Sequence, residues 1–230
     1  MAISIIVPAL NEAANLRALL PQLRASSPGA QILVVDGGSS DGSQAIALEL
    51  ADSVLQSERG RAVQMNVGGK AAQGDVLWFL HADSTVSPLL AAAIENALAD
   101  PGIAGGCFRL RLESPKLIYR LRDAIGNMLV DLTGIALGDR GFFCRREVFL
   151  ALGGYPEIRI LEDAEFYRKL KQRGRVMQLR QTIGSSVRRY EALGPFPTML
   201  FYSFIMLLYV AGIPIQMLER MVRGYMTRRS

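Results

Sequence analysis

The sequence predicts an α/β protein built on a mostly parallel sheet with helices on its faces. Three observations predict it. Through the first hundred residues short strand-like runs alternate with helical patterns, the rhythm of right-handed βαβ units. Polar and acidic residues collect where those runs end, at Asn11 and Glu12, at Asp36 to Asp41 and at His81 to Ser84. In open sheets of this class ligands gather at the carboxyl ends of the strands. Half of the 230 residues are hydrophobic, enough to close a core in one domain.

Taken in order, Ile3–Val7 is a strand, and Glu12–Arg24 carries leucines at 16, 19, 20 and 23, a helical spacing. Gln31–Val35 is the second strand, and Asp41 suits the N-cap of a helix over Gly42–Leu50. Ser53–Gln56 is a short strand, Arg61–Ala72 a helix, and Val76–Leu80 an unbroken apolar run that reads as a buried strand. Pro88 suits the first turn of a helix of small residues reaching Ala99. The rhythm then changes. Ala104–Leu112 is a longer strand, and Ser114–Leu132 an amphipathic helix. Its Leu117, Ile118, Leu121, Ile125, Met128, Leu129 and Leu132 are expected to cover the core or wall an acceptor pocket. Gly141–Cys144 is a short strand, Asp163–Gln172 a helix, and Val176–Leu179 a further strand. Residues 1–100 form a nucleotide-binding half, 101–190 an acceptor half, and 191–230 an apolar and basic helical tail.

No charged residue occurs from Ala192 to Leu218, while Arg188 and Arg189 precede that stretch and Arg220, Arg223, Arg228 and Arg229 follow it. A bilayer span needs about 20 apolar residues. Pro195, Pro197 and Pro214 interrupt the stretch, and positive charge on both sides gives no orientation. Membrane-surface contact or an oligomer contact through residues 193–225 therefore ranks above a span.

The net charge of +5 suits anionic partners. No basic stripe is interleaved with aromatics, so nucleic acid is not an expected partner. Cys107 and Cys144 fit no zinc spacing and read as buried reduced thiols. With no basic leader before the first strand, the expected location is the cytoplasm, at most peripheral at the inner face of the membrane.

Several residues suggest a site. Asp83 follows a buried strand, where a carboxylate, waters and substrate phosphates can together hold a hard cation. Asp36 ends the second strand and can accept from a base N–H or from ribose hydroxyls. A plain turn with a cap explains Asp41 better than Asp36. Gly37 and Gly38 clear side chains where a ligand must approach closely. Glu12 either favours a helix dipole or meets a ligand. Arg61 either grips a diphosphate or stays solvated, and Asn66 bonds within the site or within its own helix. Glu162 and Asp163 open a helix, and a carboxylate there can serve as a base. The turn Gly138-Asp139-Arg140-Gly141 puts Arg140 forward as a contact for phosphate or an anionic acceptor.

Val7-Pro8-Ala9-Leu10-Asn11-Glu12, Val34-Val35-Asp36-Gly37-Gly38-Ser39-Ser40-Asp41-Gly42-Ser43, Gly74-Asp75-Val76-Leu77-Trp78-Phe79-Leu80-His81-Ala82-Asp83-Ser84 and Leu161-Glu162-Asp163, in that order, resemble the motifs of family 2 glycosyltransferases. Gly60-Arg61-Ala62-Val63-Gln64-Met65-Asn66 and Gly153-Gly154-Tyr155-Pro156-Glu157 resemble a small bacterial subgroup of them. The resemblance covers roughly residues 1–180. It implies a GT-A fold and transfer from a nucleotide-activated sugar, UDP-linked by preference, with inversion. It places Pro8, Ala9, Asn11 and Glu12 around the nucleoside, Asp36, Gly37 and Gly38 at the base, and Arg61 and Asn66 in the donor site. His81 and Ala82 stand where the family carries the start of an Asp-x-Asp, leaving Asp83 to hold Mn2+ or Mg2+ across the diphosphate. His81 is then a secondary ligand, a ribose contact or a structural histidine, the last two together being favoured. Asp163 is the implied base, with Glu162 orienting the acceptor. The acceptor itself, whether lipid-linked, of the envelope or a small metabolite, has no signature. Because His81 breaks the usual pattern, a non-catalytic nucleotide- or glycan-binding module with a degenerate metal site is the alternative. A dinucleotide oxidoreductase is disfavoured, because the glycines follow the second strand rather than the first.

Overall fold

The computed structural model describes residues 1–136 and 138–227; Arg228 and Arg229 of the basic flank lie outside them. β1 (Ile3–Ala9), β2 (Gln31–Asp36), β3 (Ser53–Gln56) and β4 (Val76–Phe79) form a parallel set in the order β3-β2-β1-β4. β1 is buried along its whole length because it has a strand on each side and helices on both faces. Its alternate residues serve two cores. Ile3, Ile5, Val7 and Ala9 meet the layer of α1 (Ala13–Ser26), α2 (Ser43–Leu50) and α4 (Leu90–Leu98). Ile6 meets the layer of α3 (Arg61–Ala71), α6 (Arg146–Ala151) and α7 (Glu162–Leu170). Leu16, Leu19, Leu20 and Leu23 of α1 are all buried against the sheet, each contributing about 1.5–3 kcal/mol.

Beyond β4 the sheet becomes mixed. β7 (Phe143–Arg145) runs antiparallel to β4 and to β6 (Ile103–Leu112), β8 (Arg175–Ser185) lies parallel to β6, and β5 (Ser84–Thr85) closes the edge antiparallel to β8. Three features depart from the sequence expectations. The strand expected over Val176–Leu179 continues to Ser185, pairing with β6 as far as Leu112↔Ser185. The two-residue β5 is too short to leave a pattern, yet its pairing of Ser84 with Ser185 draws the loop holding Asp83 to the end of β8. The short α6 had no signal of its own.

The larger correction concerns α5 (Leu117–Thr133). The sequence turns its leucines inward, whereas Leu117, Ile118, Leu121, Ile125, Met128, Leu129 and Leu132 are all exposed. The polar face packs on the sheet, for a specific reason. β6 pairs with β7 only at Gly105 and Gly106, so its later backbone groups need other partners. Asn127 Oδ1 accepts from Leu110 N at 3.0 Å, its Nδ2 donates to Leu110 O at 3.0 Å, and Asp123 Oδ2 accepts from Leu112 N at 2.7 Å. The helix thus completes the strand edge with side chains, and its apolar row faces out.

The tail forms α8 (Arg188–Leu193), α9 (Pro195–Val210) and α10 (Ile215–Thr227). Among the described residues no helix is long and apolar enough to cross a membrane. α9, with 16 residues, rises only about 24 Å, which sets aside the spanning reading of the tail.

One side chain that sequence reasoning passed over joins the two strands that end at the site. Gln64 of α3, buried, donates from Nε2 to Ala9 O and to Val35 O, both at 2.8 Å. Gln64→Leu removes that shared donor inside a closed core, leaving Ala9 O with the Gly37 N–H and taking the side-chain donor from Val35 O. The expected loss is about 2 kcal/mol or more, read as a lower urea midpoint; an unchanged midpoint means the carbonyls are satisfied without it.

Candidate active site

The loops leaving β1 and β2 are knitted together by side chain to backbone bonds. Asn11, at φ 55°, donates its N–H to Ser39 Oγ at 2.9 Å and accepts from Ser40 N at its Oδ1, also at 2.9 Å. Glu12 N donates to Ser43 Oγ at 2.8 Å. Asp41 accepts from Ala13 N and Ser43 N, both at 3.0 Å, so one carboxylate serves the first turns of two helices, α1 and α2. Its pKa is lowered accordingly, chiefly by the Ser43 hydroxyl. Ser39 Oγ, through its bond from Asn11 N, is committed to the β1 loop and caps no helix among the described residues. Pro8 and Ala9 are buried at the end of β1, opposite Val35 and Asp36. Asp36 accepts from Gly38 N and Ser39 N, each at 3.1 Å, so its carboxylate shapes its own turn as well as ending the strand. A Cβ on Gly37 would stand 3.2 Å from Gln64 Nε2, and Gly38 sits at φ 87°, two separate reasons for glycine here.

Facing this floor lies a cluster of charge. Arg61, the first residue of α3, pairs through Nε with Glu162 Oε1 at 2.8 Å. Leu161 precedes Glu162 at φ 60°, ψ 18°, in the left-handed region at the N-cap of α7. Asp163 Oδ1 accepts from Ala164 N at 2.8 Å, and Oδ2 accepts from Gly138 N. His81 Nε2 meets Asp139 Oδ1 at 3.3 Å, and Ser185 Oγ donates to Asp139 Oδ2 at 3.1 Å. Arg188 Nη2 reaches Glu12 Oε1 at 3.4 Å. Asp83 stands within this field and receives no hydrogen bond among the described residues. Burial raises its pKa first, then Asp139; His81 opposes, Glu12 adds to the rise and Arg189 opposes again. Asp139 is held low although burial pushes the other way, because His81, Arg61 and Arg189 outweigh it.

The structure therefore brings Asp83, His81, Arg61, Glu162 and Asp163 into one electrostatic unit, with Glu12 at its rim. Asp36 ends the strand beyond β1, and no ion pair or hydrogen bond links it to that unit among the described residues. Ala82 is a buried spacer between His81 and Asp83. Two expectations are corrected. Asn66 donates to Tyr155 O at 2.9 Å and accepts from Tyr155 N at 2.7 Å; both ends of its amide fix the Gly153-Gly154-Tyr155 turn, so it leaves the donor set. Arg140 does not face the site. It is buried and bonds to Asn127 Oδ1 and Gln178 Oε1 beneath α5. Its neighbour Asp139 is the site residue that sequence reasoning missed; a carboxylate between glycine and arginine in a loop was its only signal.

Among the described residues no three His, Cys, Asp or Glu side chains are disposed to hold a metal by themselves. That does not disqualify the site. Mg2+-type cations are commonly held by one or two carboxylates with substrate phosphates completing the shell. Asp83, unpartnered and repelled by Asp139 and Glu12, fits such an ion. Glu162 Oε2, buried without a partner, marks a second acceptor that protein atoms leave open.

The pair beside it titrates in an informative range. Burial pushes Glu162 up to about 7; Arg61 opposes, while Asp163 and Asp139 add to the rise. Asp163 is raised too, by burial against the pull of Arg61 and its two N–H donors. A carboxyl raised on folding binds its proton more tightly in the native state. Its contribution to stability is whole below its ordinary value of 4.5 and is lost as pH climbs to about 7. Melting temperature should fall across that window, by the equivalent of at most about 3 kcal/mol, and Glu162→Gln should flatten the fall. Equal slopes for the two proteins in a pH series would refute the assignment.

A family model described as Glycosyl transferase family 2 matches residues 4–152. An uncharacterized glycosyltransferase of Haemophilus influenzae is 26% identical over 189 residues, covering 74% of this chain and 62% of that protein. The chain superposes on the mannosyltransferase PcManGT from Pyrobaculum calidifontis, in complex with GDP-Man and Mn2+, with TM-score 0.66 and 21% identity over 80% of this chain and 56% of that one. It superposes on glucosyl-3-phosphoglycerate synthase from Mycobacterium tuberculosis, in complex with Mn2+, UDP and glucosyl-3-phosphoglycerate, with TM-score 0.60 and 18% identity over 93% and 81% of the two chains. The match thus spans less than two thirds of the curated relative and of the mannosyltransferase. At these identities the superpositions speak to the arrangement of strands and helices.

Proposed function

The chain belongs to glycosyl transferase family 2 and has the GT-A fold, and from that premise we propose that it moves a sugar from a nucleoside diphosphate sugar to an acceptor hydroxyl with inversion. The observation that carries the reading is the convergence of Asp83, His81, Asp139, Arg61, Glu162 and Asp163 at the carboxyl ends of β1 and β4. The β1 and β2 loops, with Pro8, Ala9, Asn11, Glu12, Asp36, Gly37 and Gly38, receive the nucleoside. Uracil is the base assigned, on the likeness of the Asp36 motif.

Asp163, fixed by the Gly138 and Ala164 N–H groups, takes the proton of the acceptor hydroxyl as its oxygen attacks the anomeric carbon. The bond from that carbon to the diphosphate oxygen breaks, and its electron pair leaves with the nucleoside diphosphate. Arg61, anchored by Glu162, offers positive charge to the leaving group. Asp83 would hold a divalent cation, Mn2+ or Mg2+, which would supply Lewis-acid stabilisation to the departing diphosphate. His81 is held by Asp139 and orients the Asp83 loop.

The test is a screen of donor hydrolysis and transfer over UDP- and GDP-sugars with Mn2+, Mg2+ or EDTA. Cation-dependent turnover of a UDP-sugar supports the whole reading, and turnover of GDP-sugars alone removes the base assignment. Nucleotide binding that ignores manganese, with no hydrolysis of any donor, would make the chain a binding module.

A further inference from the structure

We propose that α5 and α9 form a docking face for an anionic lipid bilayer, on which the protein lies without crossing it. The outward row of α5 is the first observation. Leu117, Leu121 and Leu132 are 78%, 60% and 73% exposed, with Ile125 and Met128 between them, at the spacing of one helical stripe. α9 repeats the pattern with Phe196, Leu200, Phe204, Leu207 and Val210, all exposed.

The two helices are tied together at both ends. Near the start of α5, Lys116 and Tyr119 hold Glu191 of α8, and Arg122 donates to Tyr190 OH at 3.0 Å. Tyr190 in turn packs against Tyr202 of α9 with ring centroids 6.4 Å apart. At the far end Ile135 and Gly134, just past α5, line a groove of about 470 Å³ with Tyr209 and Val210 of α9, and Arg168 and Lys171 stand at its wall. α9 has its inner side occupied by α10, through the stack of Phe201 on Tyr225 at 3.9 Å, and by α7, through Tyr209 OH to Glu165 at 2.7 Å. The exposed stripe is what remains.

Isolated exposed apolar residues are ordinary, but contiguous stripes of this extent mark an interaction surface. The charges around it select the occupant. Its acidic residues are consumed inside the molecule: Glu191 by Lys116, Glu165 by Arg168, Glu219 by Arg223 and Asp131 by Arg109. Exposed Arg120 of α5 and Arg220 of α10 make no ion pair among the described residues, nor does Lys171 at the groove wall. A second copy of the chain would bring this basic rim against itself across a two-fold axis. Anionic headgroups meet it with opposite charge, while the phenylalanines and leucines enter the acyl boundary.

The full chain is sedimented with vesicles of phosphatidylglycerol and phosphatidylcholine, and with phosphatidylcholine alone. Binding to the anionic vesicles is expected, weakened at least fivefold by the neutral ones or by 0.5 M salt. The double variants Leu121→Gln with Leu132→Gln and Phe204→Ser with Leu207→Ser change only exposed side chains. Each should lower partitioning at least fivefold with an unchanged melting temperature. Absence of binding to either vesicle overturns the proposal. So does binding that both variants leave intact, or a concentration-dependent dimer that the variants convert to monomer. None of these readouts depends on sugar transfer.

Discussion

Asp163→Asn is expected to lower sugar transfer by about three orders of magnitude, within the range that loss of a general base produces, while nucleoside diphosphate affinity is expected to stay within a few fold. The two halves of that expectation come from different parts of the molecule. On the proposed reading the donor sits on the β1 and β2 loops, whose bonds among Asn11, Ser39, Ser40, Asp41 and Ser43 do not involve residue 163. The proposed proton acceptor, Asp163, stands on α7, where both of its carboxylate oxygens already receive backbone N–H groups. An amide in that place presents one oxygen and one NH2 to two donors and has no capacity for the acceptor proton. Stability gives a further check. Burial raises the Asp163 pKa, so folding disfavours its ionised form, but the amide leaves one of the two backbone N–H donors without an acceptor, and a modest fall in melting temperature is expected at neutral pH. Stopped-flow or end-point transfer assays with isothermal titration of UDP separate the effects. Transfer at wild-type rate removes Asp163 from the base role.

Asp83→Asn is expected to lower transfer by about two orders of magnitude or more and to erase the difference between nucleotide binding with and without Mn2+. Asp83 has the character of a group waiting for a counter-charge: part-buried, without a hydrogen-bond donor among the described residues, and raised by burial and by Asp139. Asp139 differs, since His81 and Ser185 already engage both of its oxygens. Asp139→Asn should therefore misplace His81 and weaken turnover while leaving a measurable Mn2+ effect. Thermal shift titrations of UDP with Mn2+ and with EDTA read this directly. Retention of the full Mn2+ effect in Asp83→Asn would assign the ion to other side chains.

The parts of the fold visible in the sequence are those where one periodicity has one cause. β1, β2 and β4 are apolar because both of their faces are covered, and α1 spaces its leucines for one buried stripe. The α5 pattern was equally clear and its direction still came out reversed. A hydrophobic stripe tells that a helix has two faces; it does not tell which face a half-paired strand requires. Asn127 and Asp123 decided that, through the backbone of β6. The same limit applies at the site. Asp83, Glu162 and Asp163 stand at the starts or ends of readable elements. Ser185 reaches it through the pairing of β5 with β8, and Asp139 through the loop ahead of β7, which pairs with β4; both contacts join segments far apart in the sequence and leave no local trace.

Leu161 turns into the left-handed region immediately before Glu162, a posture that costs a leucine about 1 kcal/mol relative to glycine. That small tension sets the direction in which Glu162 and Asp163 leave the chain. Glycine at 161 would take the same turn without the strain but with more freedom in it, so a library sorted for heat survival alone would admit glycine while the hold on the two acids loosens. Sorted for product formation, the same library would keep the leucine, so comparison of the two selections measures what the tension is worth to the catalyst.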